Sequence, residues 1–205
     1  MKIVVIDYGM SNLGSISNAL AECGGENVVV ASDPAELKDA THIVLPGVGS
    51  FADGMNNLTV RNWIEPIRYA ALTERIPLLG ICLGMQLMAD EGSEGGETKG
   101  LGLIHGKVDK LKVIDKGEKI PHVGWNEVYP AHQSPLFREI PDGTDFYFVH
   151  SYHFIPSNRE NILSTTPYCG NFVSTVSDKN IFGTQFHPEK SQRPGFQLLK
   201  NFLNI

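Results

Sequence analysis

Long apolar runs are missing from this chain. A membrane-spanning helix needs roughly 18 to 20 continuous apolar residues, and even PLLGICLGMQLM (77–88) is shorter and broken by glycines. A secretion signal is missing too: MKIVVIDYG passes directly from a strand-like segment into polar residues, with no longer apolar stretch or cleavage site. A cytoplasmic location is the expectation. Cysteine is scarce. Cys23, Cys82 and Cys169 are too few and too widely spaced for a disulfide framework or a CxxC metal site, and an odd number leaves at least one free thiol. Positive charge is also scarce, with 17 Lys and Arg against 23 Asp and Glu and a net charge of -6. That balance argues against a non-specific electrostatic hold on nucleic acid. Neither a metal nor an organic cofactor is expected, because no ligand cluster or nucleotide-binding glycine loop stands in a suitable context. Internal repeats and low-complexity linkers are absent.

What is present reads as one globular domain over 1–205, since 41% hydrophobic and 20% charged residues lie near the average for folded domains. KIVVI (2–6) is a β-rich run followed by a Gly-containing turn, and SNLGSISNALAEC carries apolar residues at helical spacing. NVVVAS, a helical turn over Pro34–Lys38 and THIVLPGVG repeat the alternation. A helix is expected from about Trp63 to Glu74, and PLLGI has the continuous apolar character of a parallel strand covered on both faces. The second half changes to short β-type runs: KGLGLIHGKVDKLKV, WNEVYP, FYFVHSYHF, NFVSTVS and IFGTQFHP. A closing helical stripe follows at Leu198, Leu199, Phe202 and Leu203. The fold class is therefore α/β, three-layer and flavodoxin-like, with a central, mostly parallel sheet and an antiparallel extension.

The chemistry centres on GICLGMQ (80–86), where Cys82 lies between an apolar strand and a helical run, with glycine two residues before and two after. A side chain exposed on a sharp strand-to-helix turn needs backbone room on both sides, the logic of a nucleophile elbow. A following helix would favour the reactive thiolate. Taken alone, Cys82 reads equally well as a small buried hydrophobe. A cysteine nucleophile needs a histidine, itself oriented by a carboxylate or amide. His187 ends the run IFGTQF, and Pro188 and Glu189 follow it, so a rigid turn presents an imidazole and a carboxylate together at a strand end. His42, His105, His122 and His132 read as ordinary surface or core histidines, whereas His150 and His153 are harder to set aside.

GICLGMQ together with FHPE resembles the class I, triad-type glutamine amidotransferases, and the match spans nearly the whole chain. DYGMSNLGS, LPGVGSF, KGLGLI, IPHVGWNEV, FYFVHSYH and FHPEKS are most similar to members that work with a (β/α)8 cyclase. The resemblance implies a glutaminase in which Cys82 forms a γ-glutamyl thioester, His187 moves protons and Glu189 orients the imidazole. Oxyanion donors would come from Leu83 and from the PGVG loop through Val48 or Gly49. Substrate positions would be Gly47, Gln86, Glu94 and the backbone of His150, Ser151 and Tyr152. Partner contacts would be Asn12, Trp125, Asn126, Tyr147 and Lys190. Ser11 stands where relatives often have glycine, and ADEGSEGGE holds fewer consecutive acids than the usual stretch around Glu94.

Other readings stay open at this level. A paralogous glutaminase could serve another synthase, such as one that amidinates a surface sugar, or pyridoxal phosphate synthesis. Related α/β peptidases and chaperone-like proteins carry their histidine close after the cysteine, but residues 83–104 contain none. A non-catalytic binding subunit would require a broken triad. A glycine-rich oxyanion loop can rest with a carbonyl facing the site, so low activity without the partner is expected.

Overall fold

A computed structural model describes residues 1–205. β1 (Ile3–Ile6) is the run IVVI, and all four of its side chains are buried. Such a β-branched run fits a strand covered on both faces. It pairs in parallel with β2 (Val28–Ala31) on one side and β3 (His42–Gly47) on the other. β4 (Leu78–Cys82) pairs in parallel with β3 in a register that sets Gly47 opposite Cys82. β13 (Ile181–Thr184) joins the far side of β4, again in parallel.

The sheet then changes sense. β12 (Phe172–Asp178), β11 (Ile162–Thr166), β8 (His122–Pro130) and β9 (Thr144–His150) continue it by antiparallel pairing, giving the order β2-β1-β3-β4-β13-β12-β11-β8-β9. A smaller four-stranded sheet of β5 (Glu91–Gly92), β6 (Thr98–Lys99), β7 (Gly106–Lys110) and β10 (Tyr152–Pro156) lies beside it in the order β10-β7-β5-β6.

Helices cover both faces of the parallel strands. α1 (Leu13–Glu22) and α5 (Gln192–Leu203) bring Ile16, Leu20, Leu198 and Phe202 against Ile3, Val5 and Val44. α2 (Phe51–Val60) and α3 (Ile64–Arg68) bring Phe51, Leu58 and Ile67 against Val4, Ile6, Ile43 and Leu45. These contacts make the three layers, and each fully buried Leu, Ile or Phe side chain contributes about 1.5–3 kcal/mol. α3 runs on into a π-helical turn over Tyr69–Thr73, so the helix read from about Trp63 to Glu74 is present with a change of winding. α4 (Leu83–Gln86) is a single turn after β4. No helix is long and apolar enough to cross a membrane.

Two elements had no clear periodicity. α2 has the sequence FADGMNNLTV, poor in strong helix formers. Ser50 caps it, and Glu94, distant in sequence, accepts a bond from the Phe51 N–H at 3.1 Å. β11 reads ILSTT, and its Ser164 and Thr166 are fully buried; the Ser164 hydroxyl bonds Ser174 and Thr175. Within KGLGLIHGKVDKLKV only Thr98–Lys99 and Gly106–Lys110 pair as strands around that run, and residues 100–105 form a loop.

Candidate active site

The turn from β4 into α4 holds Cys82 at φ 53° and ψ -109°, a conformation that costs an L-residue of order 1–3 kcal/mol. The flanking glycines make the turn possible. A Cβ at Gly84 would overlap the carbonyl oxygen of Leu45 on the neighbouring strand, and one at Gly80 would meet the Met88 methyl at 2.5 Å. The glycine spacing in GICLG is thus a packing requirement of this bend. Cys82 is 6% exposed, with its sulfur 3.7 Å from Gln185 Nε2 and 3.9 Å from the carbonyl oxygen of Val149. The helix expected to activate the thiol is only four residues long, so little macrodipole reaches the sulfur.

His187 lies just beyond β13 and begins a short 3-10 turn over Pro188–Lys190. Its Nδ1 donates to Glu189 Oε1 at 2.8 Å, and both side chains are almost fully buried. Burial acts to lower the His187 pKa, but the Cys82 sulfur and the Glu189 carboxylate outweigh it and raise the value to about 9. The imidazole is therefore favoured as a cation. Its Nε2 is buried and closes no hydrogen bond at rest, a common state before substrate binds. Ser191, one of the residues sequence reasoning did not assign, pins this turn: its hydroxyl donates to the His187 carbonyl at 2.6 Å and accepts from the Tyr147 N–H at 3.0 Å. The His187 N–H donates to the Tyr147 carbonyl at 2.9 Å. The HPEK turn (187–190) is thereby fastened to β9.

A cavity of about 520 Å³ opens over the sulfur. Of the residues expected at the site, it brings together Val48, Gly49, Cys82, Leu83, Gln86, Glu94, His150, Ser151, Tyr152 and His187. Gly47 stays behind the wall, where Tyr8 and Leu83 leave no room for a side chain. Ser50, Pro121 and Val149 also line the cavity and carried no signal of their own. Burial raises the Glu94 pKa, opposed by its bond from the Phe51 N–H, so one carboxylate borders the cavity and also caps α2. The Val48 N–H, expected as an oxyanion donor, is turned onto the Met10 carbonyl at 2.7 Å in this conformation. No group of three or more His, Cys, Asp or Glu gathers in a way that could hold a metal ion.

The residues expected at a partner surface divide. Asn12 and Lys190 are exposed and border a narrow crevice that reaches His187 and Glu189. Trp125 is 46% exposed and meets Tyr147 edge-on across the β8–β9 pair, their ring centroids 6.1 Å apart. Asn126 points to the opposite face of β8, where its amide meets buried His122 at 3.3 Å. It is not grouped with Trp125.

A buried Cys-His-Glu arrangement on a strained elbow, opening into a small cavity at the carboxyl ends of parallel strands, defines a thiol-dependent amide-cleaving site. A family model for glutamine amidotransferase class-I matches residues 4–205. The chain belongs to that family. Within it, the chain is 49% identical to the imidazole glycerol phosphate synthase subunit HisH of Moorella thermoacetica over 201 residues, covering 98% of this chain and 93% of the relative. It is 44% identical to the subunit of that name in Aquifex aeolicus, covering 98% and 96%. These similarities place it in the HisH branch. Among solved structures, PurLQS from Thermotoga maritima aligns with a TM-score of 0.75 at 21% identity, covering 99% of this chain and 97% of that one. The glutaminase domain of Trypanosoma brucei CTPS with bound acivicin aligns at 0.70 and 17%, covering 99% and 92%. These two likenesses are of fold.

Proposed function

We propose that residues 1–205 act as one domain, the glutaminase subunit of imidazole glycerol phosphate synthase, and release ammonia from L-glutamine for histidine biosynthesis in the cytoplasm. The observation that carries this reading is the pair Cys82 and His187 in the lining of the cavity, with Glu189 bonded to the imidazole behind it. Cys82 Sγ attacks the δ-carbonyl carbon of glutamine. The oxyanion is met by the Leu83 N–H and by the Val48–Gly49 loop once its peptide turns. His187 delivers its proton to the amide nitrogen as the C–N bond breaks, leaving ammonia and a γ-glutamyl thioester. It then removes a proton from water, whose oxygen attacks the thioester, and glutamate leaves as the thiolate returns. Glu189 holds the imidazole in orientation throughout. Gly47, Gln86, Glu94 and the His150–Tyr152 backbone hold the substrate.

The ammonia passes to a (β/α)8 cyclase subunit in a heterodimer. Exposed Val123, Trp125 and Val149 form an apolar face with Tyr147 on β8 and β9 beside the catalytic turn, a suitable place for that partner. Contacts from Asn12 and Lys190 would complete the interface, whereas Asn126 is turned to the other face of β8. The engagement of the Val48 N–H by Met10 supports low activity of the subunit alone.

Glutamate release is to be measured with and without the cognate cyclase and its nucleotide ligand, for the native chain and Cys82→Ala. Activity that requires the cyclase and disappears in Cys82→Ala is the expected result. Cys82-dependent activity indifferent to the cyclase would instead support a paralogous glutaminase serving another synthase, such as a surface-sugar amidotransferase.

A further inference from the structure

Apart from the His187 imidazole, few groups around the sulfur are placed to favour a thiolate at Cys82. α4 is a single turn, His187 Nε2 closes no hydrogen bond, and the Val149 carbonyl oxygen faces the sulfur at 3.9 Å. A carbonyl oxygen suits the S–H form and opposes S⁻. The group that suits S⁻ is the side-chain amide of Gln185, whose Nε2 lies 3.7 Å from Sγ.

The direction of that amide follows from its neighbours. The Tyr152 carbonyl can only accept, and Gln86 Nε2 donates to it at 2.9 Å. The same nitrogen lies 3.0 Å from the Gln185 side chain, and its second hydrogen requires an oxygen there. Gln185 Oε1 therefore faces Gln86, and its NH₂ is left facing the sulfur. Gln185 is fully buried and Gln86 is 4% exposed, which leaves solvent little means of turning either amide. The Tyr152 carbonyl is held from the other side by His150 Nδ1 at 2.9 Å, whose Nε2 accepts from His122 Nδ1 at 3.1 Å. Backbone pairing of the Gln185 N–H with the Ser174 carbonyl at 2.9 Å fixes the residue at the end of β13.

We propose that Gln185 is a catalytic hydrogen-bond donor to the Cys82 thiolate, and that Gln86 is a positioning residue that locks the direction of its amide. The assignment rests on Cys82 being the nucleophile. Gln185 does not titrate, so it stabilises the sulfur anion without competing with His187 for protons. It serves twice, when the thiol gives up its proton and when the thioester breaks and the sulfur again takes up negative charge.

The test is alkylation of Cys82 by iodoacetamide as a function of pH, read by mass spectrometry of the Cys82 peptide to exclude Cys23 and Cys169. The other titratable groups around the sulfur and its cavity are His187 with Glu189 beyond β13, Tyr8 beyond β1, His150 at the end of β9 and Glu94 across the cavity, and none of them is substituted. Gln185→Leu should raise the alkylation midpoint by about one to two pH units, the loss of one charge-assisted hydrogen bond. Gln86→Leu, which does not touch the sulfur, should move it in the same direction, and the double variant should match Gln185→Leu alone. An unchanged midpoint in a Gln185→Leu protein with native circular dichroism overturns the proposal. Should that variant not fold, an unchanged midpoint in Gln86→Leu does the same. Glutaminase activity surviving Cys82→Ala would overturn the nucleophile assignment instead, a separate failure.

Discussion

His122 and His150 are 4% and 6% exposed and stacked among Phe148, Tyr168 and Phe172. Burial lowers the His122 pKa to about 4 and, with neighbouring histidines adding to it and the Tyr152 carbonyl opposing it, the His150 pKa to about 3. Both fall below the unfolded value near 6.5, so the unfolded chain takes up more protons as pH drops. Their contribution to stability is complete above about pH 6.5 and is lost progressively toward pH 4 and 3. His187 has the opposite sign: raised to about 9, it contributes fully below about pH 6.5 and its contribution is lost as pH rises through 9. Urea midpoints should therefore be highest near neutrality. His122→Asn should lower the midpoint at pH 7 while flattening the fall between pH 7 and 5; an undiminished fall would remove His122 as its cause.

Among the elements, the strand-to-helix elbow has the least tolerance. Gly84→Ala forces a methyl group into the Leu45 carbonyl of β3, and overpacking of this kind costs about 1–3 kcal/mol. Because Gly84 lies two residues from Cys82, the displacement should lower kcat more than it lowers stability. Thermal unfolding and glutamate release on the same samples separate the two effects. The element level also shows what was legible in the sequence. β1, β4 and the stripe of α5 announce themselves because continuous burial or one apolar face fixes their residue types. α2 does not, since Gly54, Asn56 and Asn57 dilute its pattern and its start is fixed by Ser50 and by Glu94 on a separate segment. The proximity of the residues proposed as catalytic was readable because Cys82, His187 and Glu189 bear their chemistry in their residue types. Gln185 was not: its meaning lies in which way a buried amide points, and two residues remote in sequence, Gln86 and Tyr152, decide that.

At the scale of the whole molecule, the catalytic turn and the apolar face of β8 and β9 form one continuous region. Trp125→Ala removes the largest side chain on that face and should weaken cyclase binding by about 2 kcal/mol or more, roughly thirtyfold. As an exposed substitution it should change the stability of the isolated chain by no more than about 0.5 kcal/mol. Calorimetric titration with the cyclase measures the first, and unchanged affinity would place the interface elsewhere.

The fastening of the HPEK turn to β9 has a consequence unrelated to catalysis. β9 is the last strand of the nine, and a terminal strand offers a free ladder of donors and acceptors to any passing chain. At Tyr147 both rungs are already occupied, the N–H by the Ser191 hydroxyl and the carbonyl by the His187 N–H. His187, the proposed base, is thus through its backbone N–H also a plug at the margin of the sheet. A chain whose C-terminal turn has not closed would lack the His187–Glu189 pair and leave these two rungs open together, so the same few contacts that seat the imidazole also cover the edge of the sheet.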